Sequence, residues 1–186
     1  KYPAKEEWGK LVERPHLDVS QLNATVEGVL NDVKNNGDAA VKHYEEKFDH
    51  AHLSALAVTE AEIEEAEGLI SPELKHALEL AHHNIATFHQ SQKFEGEKVE
   101  TAPGVTCWQK SVAIEKVGLY IPGGTAPLFS TVLMLATPAK IAGCKEIVLC
   151  TPPNAEGKVN PAILMAAKIA GVSKIFKAGG VQAIGA

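Results

Sequence analysis

Between residues 117 and 177 the chain alternates three short apolar runs with two helix-length patterns, and few folds accept that alternation. The runs are residues 117–121, 147–150 and 174–177. Ser130 opens the first intervening helix, which Gly143 closes; Asn160-Pro161 opens the second, which Gly171 closes. Runs that are apolar at successive positions bury both faces, and with helices between them they predict a parallel sheet covered on two sides. Residues 131–142 are apolar nearly all round, which calls for more than one covering neighbour. Pro138 inside that stretch removes a backbone hydrogen bond, so a bend is expected there. Residues 181–186 read as the opening of a further crossover helix. Three parallel strands leave an exposed edge and a half-covered face, so the pattern stops in mid-fold.

The preceding residues read as helices. A first helix opened by Ser20 places Leu22, Val26, Val29, Leu30 and Val33 on one face, and Asn35-Asn36-Gly37 stops it. Asp38 caps a second, with Val41, Tyr44 and Phe48 as its stripe. Thr59 and Glu62 have the spacing of a capping box, and Ser71-Pro72 opens the longest helix. There Leu74, Leu78, Ala81, Ile85 and Phe88 step by fours and threes, the seam of a helix packed lengthwise on another. Near Lys98 the pattern turns extended: a short strand at 99–101, a Pro103-Gly104 turn, then an extended stretch over 105–114. The expected organisation is a helical arm over 1–98 and an α/β unit over 99–186.

Charge and composition exclude several classes. Net charge is −5 with 18 basic residues that are scattered along the chain, so no basic stripe exists to neutralise phosphates of a nucleic acid. No apolar run approaches the ~20 residues of a membrane span. Cys107, Cys144 and Cys150 are odd in number and form no CxxC, which supports neither a disulfide framework nor a zinc knuckle.

Two loops follow strands and precede helices, where open α/β sheets bind ligands. In 121–127 (Ile-Pro-Gly-Gly-Thr-Ala-Pro) two glycines permit close backbone approach, but Pro122 and Pro127 donate no hydrogen bond. The loop reads either as a cofactor contact or as a rigid turn. Gln182, after Gly179-Gly180, either reaches a ligand with its amide or serves as a capping or solvent-facing side chain. His76, His82, His83 and His89 tempt a metal reading. The pairs sharing a helical face lie seven residues apart, about 10 Å at 1.5 Å per residue, too far to hold one ion. No nucleophile elbow or paired catalytic carboxylates stand out.

Residues 117–153, from Val-Gly-Leu-Tyr-Ile-Pro-Gly-Gly-Thr-Ala-Pro to Ile-Val-Leu-Cys-Thr-Pro-Pro, closely resemble the histidinol dehydrogenase family. The ending Gly-Gly-Val-Gln-Ala-Ile-Gly-Ala (179–186), Asn-Ile-Ala-Thr-Phe-His (84–89) and Pro-Gly-Val-Thr-Cys (103–107) fit it in the same order. The resemblance implies oxidation of L-histidinol to L-histidine with two NAD, a bound zinc ion, and a cytoplasmic homodimer of intertwined subunits. It implies incomplete Rossmann-like domains as the fold. Position by position, Tyr120 and Gln182 are implied as NAD contacts, with Pro122 and Gly123 lining the same cavity. Family members are more than twice this length, and their zinc ligands, substrate contacts and acid–base pair correspond to positions beyond residue 186. No catalytic or metal-binding residue is therefore assigned here, and the chain alone is expected to be inactive. The alternatives are another member of the wider aldehyde-dehydrogenase-like group, or a non-catalytic dimerisation or regulatory α/β module.

Overall fold

The computed structural model describes residues 2–14, 19–123 and 127–186. A short helix, α1 (Trp8–Leu11), precedes four longer ones: α2 (Ser20–Asn36), α3 (Asp38–Asp49), α4 (Glu60–Leu69) and α5 (Pro72–Gln90). A hairpin follows, β1 (Lys98–Ala102) with β2 (Val105–Trp108). Then strands and helices alternate: β3 (Lys116–Tyr120), α6 (Phe129–Ala142), β4 (Glu146–Thr151), α7 (Pro161–Ala170), β5 (Lys174–Lys177) and α8 (Gly180–Gly185).

Strands β3, β4 and β5 form a parallel sheet in that order, with Tyr120 beside Cys150 and Cys150 beside Phe176. This is the predicted incomplete, Rossmann-like parallel sheet preceded by helices. One edge differs from expectation. Residues 56–58 lie antiparallel against β5: Val58 N–H donates to Ile175 at 2.9 Å and Lys177 N–H donates to Leu56 at 2.7 Å. The helical region thus caps the β5 edge as well as preceding the sheet.

The cap chemistry follows the sequence closely at α4, α5 and α7, where Asn160 Oδ1 accepts from Ala162 N–H at 2.9 Å, and departs at three other helices. Thr59 and Glu62 make both bonds of the capping box, at 2.8 and 3.3 Å, and Ser71 Oγ accepts from Leu74 N–H at 3.2 Å. At α2, α3 and α6 the helix starts one or two residues early. Val19 and not Ser20 holds the cap position of α2, Gly37 precedes α3, and Leu128 precedes α6. Gly37, at φ +54°, both closes α2 and opens α3, so Asp38 enters the first turn, where its charge still favours the helix dipole.

The core is continuous across the change from helical to α/β sequence. Ala66 of α4 and Leu78 of α5 pack into one cluster with Val132, Leu133 and Ala136 of α6, Leu149 of β4 and Ile163 of α7. Most of the α5 seam faces this cluster: Leu74, Ala81 and Ile85 pack against it, while Phe88, near the helix end, is exposed. A smaller cluster joins Val29 and Val33 of α2 to Ala40 and Val41 of α3 and to Ala178 after β5. Helix α6 is less enclosed than its sequence predicts. It packs on α5, α7 and the sheet, yet Met134 and Leu135 remain exposed because no described element covers that side.

Candidate site at the carboxyl edge of the sheet

All three parallel strands end on the same edge, at Tyr120, Thr151 and Lys177. The turn after β5 is the most constrained element there. Its two successive backbone donors are both taken by side chains: Gly179 N–H donates to Glu45 Oε1 at 2.8 Å, and Gly180 N–H donates to the Tyr120 hydroxyl at 2.9 Å. Gly180 adopts φ +53°, a left-handed conformation suited to glycine. Gln182, 1% exposed, sends its Nε2 donor to the same Glu45 oxygen at 2.8 Å.

Tyr120 and Gln182, 62 positions apart by number, therefore meet at one turn, with Gly180 between them. Tyr120 is half-buried, whereas Gln182 is enclosed and its Oε1 has no hydrogen-bond partner. Gly180 lies directly against that oxygen: a Cβ added there would sit 2.8 Å from it.

Glu45 was not legible as part of this edge. It is fully buried, and burial raises its carboxyl above the ordinary carboxylate range. The bonds from Gly179 and Gln182 pull the other way, while the charge of Asp49, four residues on, adds to the rise. Burial also raises Asp49, against a lowering hydrogen bond from Glu45. The sequence signal was available: Glu45 follows the buried Val41 by four positions and so shares its helix face. The helix stripe was read from Val41, Tyr44 and Phe48, and a charged residue such as Glu45 carries no apolar signal in that pattern.

Beside this turn lies a cavity of about 560 Å³, bordered by Pro122, Gly123, Thr151, Pro152, Asp49 and Asn160. Tyr120 and Gln182 do not border it, so the expectation that Pro122 and Gly123 share one cavity with them is not met. Gly179 joins the two places, since a Cβ on it would meet Pro152 at 2.7 Å and Asp49 Oδ2 at 3.1 Å. The hydroxyl of Thr151, buried at the end of β4, has no partner. Two acidic side chains at the cavity are paired, Glu65 with Lys158 at 2.8 Å and Glu62 with the largely buried Lys177. Residues 124–126, the remainder of the glycine loop, lie outside the described residues.

Among the described residues no three His, Cys, Asp or Glu side chains are grouped so as to hold a metal ion. His76 and His83 are exposed, and Cys107, Cys144 and Cys150 are all free thiols. No helix among the described residues is long and apolar enough to cross a membrane.

An open parallel sheet with helices packed on it, and a polar turn and cavity at its carboxyl edge, defines an α/β protein of the Rossmann-like class. The chain belongs to the histidinol dehydrogenase family, whose family profile matches residues 12–186. It is 67% identical over 186 residues to the histidinol dehydrogenase of Bacteroides thetaiotaomicron, covering all of this chain and 44% of that protein. It is 49% identical over 182 residues to that of Escherichia coli K12, covering 97% of this chain and 41% of that protein. The crystal structure of histidinol dehydrogenase from Elizabethkingia anophelis superposes with a TM-score of 0.92 at 49% identity, over 98% of this chain and 42% of the other. The chain thus spans less than half the length of these relatives.

Proposed function

We propose that this chain is the NAD-binding N-terminal part of a cytoplasmic, homodimeric histidinol dehydrogenase, which oxidises L-histidinol to L-histidine in histidine biosynthesis. The observation that carries the NAD reading is the meeting of Tyr120 and Gln182 at the Gly179-Gly180 turn. The Tyr120 ring supplies an apolar face with a polar tip, and the unpartnered Gln182 Oε1 supplies a hydrogen-bond acceptor. An acceptor that is buried without a partner carries a desolvation cost, which a ligand N–H or O–H would relieve. Those features fit a dinucleotide, which when bound accepts hydride from the alcohol carbon of the substrate. This chain's own part is to bind and orient it.

Zinc, which the family resemblance implies, finds no fitting donor set among the described residues. No residue of this chain is assigned to proton transfer, and the chain alone is proposed to be without turnover. The test is histidinol-dependent NADH formation, measured on this chain and on the product of its complete reading frame. The account expects turnover only from the longer product if the frame continues. Turnover by the 186-residue chain alone would overturn the inactivity claim, and an inert full product would overturn the assignment.

A further inference from the structure

One buried acid holds the proposed cofactor edge together although nothing in the resemblance points to it. Glu45 reaches from α3 to the carboxyl edge of the sheet, where a single oxygen, Oε1, accepts from Gly179 N–H and from Gln182 Nε2, each at 2.8 Å. With Nε2 engaged there, the amide of Gln182 has one orientation, which leaves Oε1 as its unused atom. We propose that Glu45 is the positioning residue of this edge, clamping the Gly179 turn and the Gln182 amide on one oxygen, so that Gln182 Oε1, enclosed behind Gly180 in the free chain, keeps the one orientation in which a shift of the Gly180 turn presents it to an N–H or O–H donor of the dinucleotide. This rests on the NAD reading for the identity of the ligand.

The second oxygen of Glu45 explains how the clamp survives burial. Oε2 has no acceptor role to fill, since no donor meets it. An ionised carboxylate with one bare oxygen in a dry site is costly, whereas a carboxylic acid carries its proton on that oxygen. Asp49, four residues on along the same helix, is the neighbouring acceptor for that proton, and the interaction with Glu45 pulls Asp49's own pKa down against burial. The other charged or titratable groups that act with this pair are His50 beside Asp49 and the raised Cys150 thiol on β4. Helix α8 contributes none.

The experiment compares Glu45→Ala, Glu45→Gln and the unmodified chain, with NAD affinity by calorimetry and amide shifts by NMR. Glu45→Ala strands two buried N–H groups and should weaken NAD by about tenfold or more. Glu45→Gln keeps an acceptor oxygen and places an N–H donor where the carboxyl O–H stood, so it should restore most of that affinity. In the unmodified chain, the Gly179 and Gln182 side-chain amide signals should follow one titration above the ordinary carboxylate range, and Glu45→Gln should abolish it. A folded Glu45→Ala variant with undiminished affinity, or amide signals that ignore Glu45, would overturn the proposal. An unmodified chain that shows the titration but binds no NAD would instead remove the dinucleotide reading and leave the clamp standing.

Discussion

Gln182 Nε2 donates to Glu45 Oε1 at 2.8 Å across 137 positions of sequence, and both side chains are enclosed by protein. This bond ties α8, after the last strand, to α3 in the helical region. Replacing Gln182 by Ala removes one of the two donors to a buried carboxyl and opens a small void. The expected loss is about 1–3 kcal/mol of folding stability, read from urea denaturation. An unchanged midpoint would show that the bond is not formed in solution.

Gly180 makes a stricter test of the same turn. Alanine there must hold φ +53° and would place its Cβ 2.8 Å from Gln182 Oε1. The expected outcome is a loss of ~1 kcal/mol or more with displacement of the Gln182 amide. Proton NMR of that side-chain amide checks the displacement directly, and a native-like amide signal would contradict it.

Stability should also carry the mark of Glu45 in its pH dependence. Its carboxyl is raised above the ordinary 4.5, so the folded state keeps a proton that the unfolded chain releases. That contribution is present below pH 4.5 and is lost as the pH rises through the folded value. Glu45→Gln cannot ionise and escapes the loss. Relative to the unmodified chain, the variant should therefore gain in melting temperature on moving from acid to neutral pH. A difference that stays constant with pH would contradict this.

Glu67 predicts the opposite sign. Lys168 and Lys75 each approach its carboxylate at 2.6 Å and hold it down to about 2, linking α4 to α7 and α5. This contribution is present above the ordinary 4.5 and disappears as the pH falls through about 2. All three groups are solvent-accessible, so the effect is small and salt-sensitive. Glu67→Gln should lower the melting temperature slightly near neutrality and not at all in strong acid. Equal effects at both ends would rule the ion pairs out as its source.

The central strand gives the packing prediction. Leu149 lies in β4 between β3 and β5, fully buried in the main cluster. Leu149→Ala should cost roughly 2–5 kcal/mol in denaturant titration, since strands on both sides limit collapse of the cavity. A cost below about 1 kcal/mol would place the core elsewhere.

The sheet was legible because three short, largely apolar runs alternate with helix-length segments, although burial is full only along alternate positions of β4 and β5 while β3 leaves Lys116 and Gly118 exposed. The capping box and the proline starts were legible because they act over three or four residues. What sequence concealed was non-local. Residues 56–58 are too short a run to read as a strand, and their pairing with β5 depends on a partner more than a hundred positions away. Glu45 was hidden for a related reason: the groups that satisfy its buried carboxyl, Gly179 and Gln182, lie more than a hundred positions away. Met134 and Leu135 look like core by composition, yet whether a side chain is covered depends on which elements are present to cover it. Tyr120 and Gln182 came from family resemblance; geometry adds that one turn joins them.

The account stands or falls on whether a nicotinamide dinucleotide engages this turn. Titrating NAD into the isotopically labelled chain and following the backbone and side-chain signals tests that directly. Saturable shifts centred on Tyr120, Gly180 and the Gln182 amide are predicted, and they should weaken in Tyr120→Phe and Gln182→Ala. Binding that maps away from these residues, or no saturable shift at all, would contradict the account.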